Sequence, residues 1–161
     1  MSIKLVKWYA VLVLLCVLLV YLVDLTTFRY NGRTISAGNG NPGLLFLFPA
    51  WTAALMLMIA TFIMAVKYFD DLSDHIVKKA YRFWLPLFSL LALLLSVYFQ
   101  YRKIMQWLDT YRQMTEKFGS PLFLGALNPY NNSLYYNAHI LLFCVSAAML
   151  CGWWVVSRRP Y

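Results

Sequence analysis

A chain of 161 residues that is 62% hydrophobic and 12% charged departs from soluble domains, which run about 45–50% apolar and about 25% charged. Its twenty Lys, Arg, Asp and Glu residues crowd into 53 positions, because four charge-free stretches of 16, 33, 19 and 40 residues take up the other 108. A soluble domain of this size still exposes roughly a third of its unfolded surface; a water-soluble globule is excluded, and the chain is expected to be an all-α polytopic membrane protein.

A hydrocarbon core about 30 Å thick needs roughly 20 helical residues at about 1.5 Å each. The first span is expected over residues 5–25, with Lys7 and Asp24 near enough to its ends to carry their charges to the head groups. Its basic-then-apolar layout resembles a signal peptide, yet residues 23–27 offer no small-x-small cleavage site, so it is read as a retained anchor. An outer loop, residues 26–43, contains the polar run 34–43, which cannot lie in lipid. The second span takes residues 44–66. Pro49 is read as opening this helix in its first turn, where a missing N–H costs nothing, with residues 44–48 as an interfacial lead-in. The alternative is a kink inside a longer helix. Residues 67–82 form a tight cytoplasmic hairpin, and the third span, residues 83–101, carries Pro86 in its opening turn.

The second outer loop, residues 102–133, keeps a helical rhythm in Ile104, Trp107, Leu108, Tyr111, Met114 and Phe118. Lys103, Gln106, Asp109, Arg112, Gln113, Glu116 and Lys117 alternate with them, and Gly119-Ser120-Pro121 ends the run. This amphipathic extracytoplasmic helix either prolongs the third span or lies on the membrane surface, covering the bundle or docking a partner or lipid. Residues 118–127 are too short to cross. The turn-rich cluster 128–133 precedes the fourth span, residues 134–156. The two halves share an Asn-Pro pair, Asn41-Pro42 and Asn128-Pro129, and too little else to count as a repeat.

Trp and Tyr favour the two head-group levels. Trp8 and Tyr9 oppose Tyr21, Trp84 opposes Tyr98 and Tyr101, and Tyr135 and Tyr136 oppose Trp153 and Trp154. Four spans put both termini on one side, where Lys4, Lys7, Lys67, Lys78, Lys79, Arg82, Arg158 and Arg159 also fall. Arg29, Arg33, Arg102, Lys103, Arg112 and Lys117 fall opposite, and eight against six predicts cytoplasmic termini in the cell (plasma) membrane. The net charge of +8 then suits lipid head groups on both faces, and nucleic acid is not an expected partner.

Helices gain nothing hydrophobic by associating in lipid, so small residues that let backbones approach mark the seams. Ala50 and Ala54, with Thr61 and Ala65, form such a stripe on the second span; Cys144, Ala148, Cys151 and Gly152 form one on the fourth. These two spans are expected to make the closest contact, unless the fourth span's face meets another subunit.

No span holds a charge near its middle, which argues against a proton path or an ion pump. Thr52, Thr61, Ser89, Ser96 and Ser146 are read as hydroxyls bonding back to helix carbonyls. The two histidines, His75 and His139, fall at opposite membrane faces and exclude bis-histidine haem within one chain. Cys16, Cys144 and Cys151 lie inside spans with no C-x-x-C and are read as packing residues. Asp71 and His75 stand at i, i+4 as two ligands of a metal site, but solvated hairpin charges, including an Asp74–Lys78 pair, explain them better. No cofactor, metal or catalytic residue is expected. Asn131-Asn132-Ser133 matches the glycosylation acceptor pattern.

One polar set gathers at the outer boundary: Asp24, Gln100, Arg102, Asn137 and His139. It is read as helix-end capping with an Asp24–Arg102 tie, or as a shallow site for a head group, small anion or partner. Function is expected to be non-catalytic: an accessory, assembly or regulatory subunit, with the lipid bilayer and other membrane subunits or a second copy as partners. The alternatives are a small carrier or channel for an apolar or amphiphilic solute, and a lipid-acting enzyme that uses the outer cluster.

Overall fold

The computed structural model describes residues 3–32, 40–73, 79–119 and 127–159. It is 84% helix, with no strand among the described residues. The elements are α1 (Ile3–Leu25), α2 (Leu44–Ser73), α3 (Lys79–Phe118), a one-turn α4 (Asn132–Tyr135) and α5 (Ala138–Ser157). Four helical segments are long and apolar enough to span a membrane.

The lengths differ from those expected, each for a local reason. α3 has 40 residues and rises about 60 Å, twice a hydrocarbon thickness. The amphipathic segment is thus the direct continuation of the third apolar helix, since residues 101–117 contain neither Gly nor Pro to break it. It stops at Gly119, whose φ of +80° is the left-handed conformation that closes a helix and whose N–H donates to the Thr115 carbonyl at 3.0 Å.

α2 starts at Leu44, ahead of Pro49, which therefore lies inside a 30-residue helix instead of opening it. The start is set earlier, by Asn41. Its side-chain oxygen accepts from Gly43 N at 3.2 Å and its carbonyl from Leu44 N at 3.2 Å. Pro86 is likewise interior to α3. The second Asn-Pro pair repeats the device: Asn128 Oδ1 accepts from Tyr130 N at 3.0 Å, and the Asn128 carbonyl from Asn131 N at 3.2 Å, just before α4. Both Asn-Pro pairs thus build an Asx turn that launches a helix.

The fourth apolar segment is not one helix from residue 134. Tyr136 and Asn137 are extended, at φ −146° and −158°, and α5 begins afresh at Ala138 with 20 residues, about 30 Å. The break is held by Asn137, whose side-chain oxygen accepts from His139 N at 2.8 Å and Ile140 N at 3.2 Å as an N-cap.

Contacts fix the helix directions. Tyr9 of α1 meets Thr61 of α2, and Arg159 after α5 pairs with Asp70 of α2 at 2.9 Å. At the opposite end Thr27 meets Ser133, Asn41 meets Asn132, and Gln100 meets Asn137. The long helices therefore alternate in direction. One end carries Ile3 and Arg159; the other, the loop end, gathers residues 24–32, 40–43, 100–119 and 127–137.

The most extensive seams join α2 to α5, α5 to α3, and α1 to α2, whereas α1 and α3 touch only slightly. At the α2–α5 seam, Ala148, Gly152 and Val156 recur every fourth residue and are buried, as are Ala65 and Phe69 opposite. A β-carbon on Gly152 would lie 2.6 Å from the Ala65 β-carbon, so the helices touch nearly backbone to backbone. Cys151 faces outward and Cys144 is half-buried, so Val156 takes the place expected of Cys151. Since α2 occupies this face, it is not left open for another subunit. Ala50 and Ala54, with Ala53 and Leu57, instead surround Cys16, Leu19 and Val23 of α1 together with Tyr136.

Hydroxyls inside the helices are satisfied locally. Thr52, Thr61, Ser89 and Ser96 donate to carbonyls three or four residues back at 2.7–3.2 Å. Because Thr61 spends its proton on Leu57, the Tyr9 hydroxyl donates to Thr61 Oγ1, at 3.0 Å. Among the described residues no buried side-chain nitrogen or oxygen lacks a partner. Four aromatic residues assigned to head-group belts are partly or wholly inside: Tyr9, Tyr135 and Trp153 are half-buried, and Tyr136 is 1% exposed with its hydroxyl 3.4 Å from the Cys16 carbonyl. Trp8, Tyr21, Trp84, Tyr98, Tyr101 and Trp154 do face outward.

Candidate functional site

The loop end is stitched together by polar groups from four segments. Asn41 and Asn132 exchange two amide hydrogen bonds, at 2.9 and 2.6 Å, tying the start of α2 to α4. Gly43 is needed beside this pair because a β-carbon there would fall on the Asn132 amide nitrogen. Phe28 N donates to the Pro129 carbonyl at 2.8 Å, and Ser133 N to Thr27 Oγ1 at 3.1 Å, fastening the chain after α1 to the same turn. Asn131 of the Asn131-Asn132-Ser133 triplet is buried and its Oδ1 accepts from Asn128 N at 2.9 Å, so the triplet serves the turn.

The five polar residues singled out at this end do not form one site. Gln100 and Asn137 are a structural pair: Asn137 Nδ2 donates to Gln100 Oε1 and to the Ser133 carbonyl, each at 2.9 Å, and Gln100 Nε2 donates to the Leu134 carbonyl at 2.9 Å. His139 stacks its ring on Phe99, centroids 5.4 Å apart. Arg102 is exposed and donates to the Tyr98 hydroxyl at 3.2 Å. Asp24 pairs with Arg29 at 3.5 Å, so the Asp24–Arg102 tie is not formed. The chain turns back after α1 and delivers Arg29 to the carboxylate first.

The extension of α3 sorts its residues differently from a simple apolar stripe. Lys103, Trp107, Thr110 and Met114, spaced i, i+4, i+7 and i+11, are its more buried face, with Met114 only 1% exposed. Ile104, Met105 and Leu108 stay 37–40% exposed on the other side. Tyr30 meets Phe118 edge to face at 6.4 Å, and the Lys117 ammonium donates to the Gly32 carbonyl, so residues 28–32 run along this extension.

Three cavities open around these elements. One, about 330 Å³, lies between the end of α1, residues 28–30, the inner face of the α3 extension and the turn at 130–134. Asp24, Arg29 and Lys103 supply its charges, and Tyr30 and Trp107 are among its aromatic walls. The second, about 610 Å³, is apolar and bounded by Trp51, Leu55 and Met58 of α2, Ile104 of α3, and Ile140 and Cys144 of α5. The third, about 340 Å³, lies between α3 and α5 and includes His139.

Arg29, Lys103, Gln106 and Trp107 are among the cavity residues that the outer cluster omitted. The i, i+4, i+7 spacing of Lys103, Trp107 and Thr110 was visible in the sequence, but the polar character of Lys103 placed it on the solvent side. Among the described residues no three His, Cys, Asp or Glu side chains come together as a metal set. His75 of the Asp71–His75 pair lies outside the described residues, as do Arg33, residues 34–39, the Asp74–Lys78 pair and Pro121. The chain matches no family model, no curated protein and no solved structure.

Proposed function

We propose that the chain is a four-span membrane protein of the cell membrane, both termini cytoplasmic, working without catalysis as an accessory, assembly or regulatory subunit of a larger membrane complex. The carrying observation is the α3 extension. It prolongs the third apolar helix past bilayer thickness while Ile104, Met105 and Leu108 remain exposed for two turns beyond Tyr101. Apolar side chains at that height need cover from a partner, whereas those lower on α1 and α3 are covered by lipid itself. The slight α1–α3 contact leaves both helices a further lateral face.

Photocrosslinking tests this reading. A photoreactive residue at Leu108 is expected to give a discrete protein adduct, while the same group at Leu14, on the lipid-facing side of α1, gives lipid adducts alone. Met105→Glu, introduced beside the photoreactive residue at 108, is expected to abolish the protein adduct at unchanged chain abundance. Lipid adducts alone at both positions overturn the proposal.

A second reading, a carrier for an apolar or amphiphilic solute, is supported by the 610 Å³ apolar cavity between α2, α3 and α5. Solute flux through liposomes containing the chain alone, lost on Leu55→Trp, would replace the subunit reading. A lipid-acting enzyme would require His139 or Asp24 to be indispensable, and the two line different cavities.

A further inference from the structure

The polar cavity at the loop end has the chemistry of a binding site. Its walls bring two cations and one carboxylate together: Arg29 and Lys103 against Asp24. Asp24 already holds Arg29 at 3.5 Å, and its field also reaches Lys103. The set therefore carries one uncompensated positive charge.

The polar groups around it fall into two kinds. Thr27 and Thr110 spend their hydroxyl protons on the Val23 and Gln106 carbonyls, at 2.6 and 2.9 Å. The side chains of Lys103, Gln106, Trp107 and Ser133 make no hydrogen bond with the described residues, yet all four line the same cavity. These side chains bring an ammonium, an amide, an indole and a hydroxyl to the walls of a space of about 330 Å³. Lys103 and Trp107 can only donate, Gln106 and Ser133 can donate or accept, and one positive charge is left over, which matches a ligand that is rich in acceptor oxygens and carries one negative charge. A phosphodiester is such a group.

Location narrows the source. Asp24 is one residue from the end of α1, and Lys103 is two residues past Tyr101, where the third apolar stretch gives way to charge. Both stand at head-group height when the apolar helices sit in a bilayer. α1 and α3 touch only slightly, which leaves the acyl chains of a lipid a path along the groove beside them.

We infer that this cavity binds the phosphodiester head group of a phospholipid in the leaflet at the loop end, with Lys103 as its principal anchor. The test uses the full chain, stripped of lipid in maltoside micelles and titrated calorimetrically with three probes: dihexanoyl phosphatidylglycerol, glycerol 3-phosphate, and dihexanoylglycerol. The first is expected to bind saturably at one per chain, with affinity falling about tenfold or more in Lys103→Ala, the loss of one charge-assisted hydrogen bond. Lys103→Arg is expected to keep most of the affinity, and Arg112→Ala, the same charge change outside the cavity, to keep all of it. Equal binding of glycerol 3-phosphate supports a phosphate site and reassigns its source to a soluble ester. Non-saturable uptake, binding of dihexanoylglycerol as tight as that of the phospholipid, or equal losses in Lys103→Ala and Arg112→Ala overturn the inference.

Discussion

Gly152→Ala probes the closest helix contact in the molecule. The added methyl would lie 2.6 Å from the Ala65 β-carbon and 3.1 Å from Val66 N, where carbon atoms in contact prefer about 3.5–4.0 Å. α2 and α5 must therefore part by about 1 Å at this level, loosening the packing of Phe69, Val156 and Trp153 around it. Overpacking of this kind costs about 1–3 kcal/mol. Ala65→Gly removes the opposing methyl but leaves Val66 N in place, and by itself loses about 0.5–1 kcal/mol of helix propensity. The distinguishing signature is coupling. In reversible unfolding in mixed detergent micelles, the double variant is expected to be more stable than the summed single losses predict by about 1 kcal/mol or more. A Gly152→Ala chain as stable as the parent, or losses that merely add, would refute the backbone-to-backbone seam.

Tyr9→Phe and Thr61→Val, combined in a double-mutant cycle, are expected to couple by about 0.6 kcal/mol, with about 1.7 kcal/mol the ceiling for such bonds inside membranes; zero coupling would mean that the 3.0 Å contact contributes nothing. Gly43→Ala places a methyl on the Asn132 amide, and breaking the reciprocal Asn41–Asn132 pair should cost about 1–3 kcal/mol in the same unfolding assay. Maleimide in mild detergent should modify exposed Cys151 first, half-buried Cys144 more slowly, and buried Cys16 only after denaturation, read by mass spectrometry of the labelled peptides. Expression in a glycosylating host should leave Asn131 unmodified, seen as no mass change on glycosidase treatment, because its side chain is buried in the turn it holds.

Much of the fold was legible because each signal is local. Gly119 ends α3 where a stop was expected, and Asn137, placed at the start of the fourth span, caps α5. The missed features depend on partners distant in sequence. Tyr136 looked like a belt residue, yet an extended backbone at 136–137 turns it inward to the Cys16 carbonyl, 120 positions away. Lys103 looked solvated until residues 28–30 and 130–134 closed over its side of α3. Pro49 appeared to start a helix because the Asn41 turn that does so draws on Asn132, far along the chain.

Composition by itself determined that these segments are helices long and apolar enough to cross a bilayer: hydropathy sums over neighbouring residues and needs no knowledge of what lies opposite. Tertiary structure alone decided which face of each helix is spent on another. It set Gly152 against Ala65, turned Cys151 outward, left α1 and α3 only slightly in contact, and placed Lys103 beside Asp24 and Arg29. Those choices come from steric fit and hydrogen bonding between distant groups, quantities that no window along the chain contains.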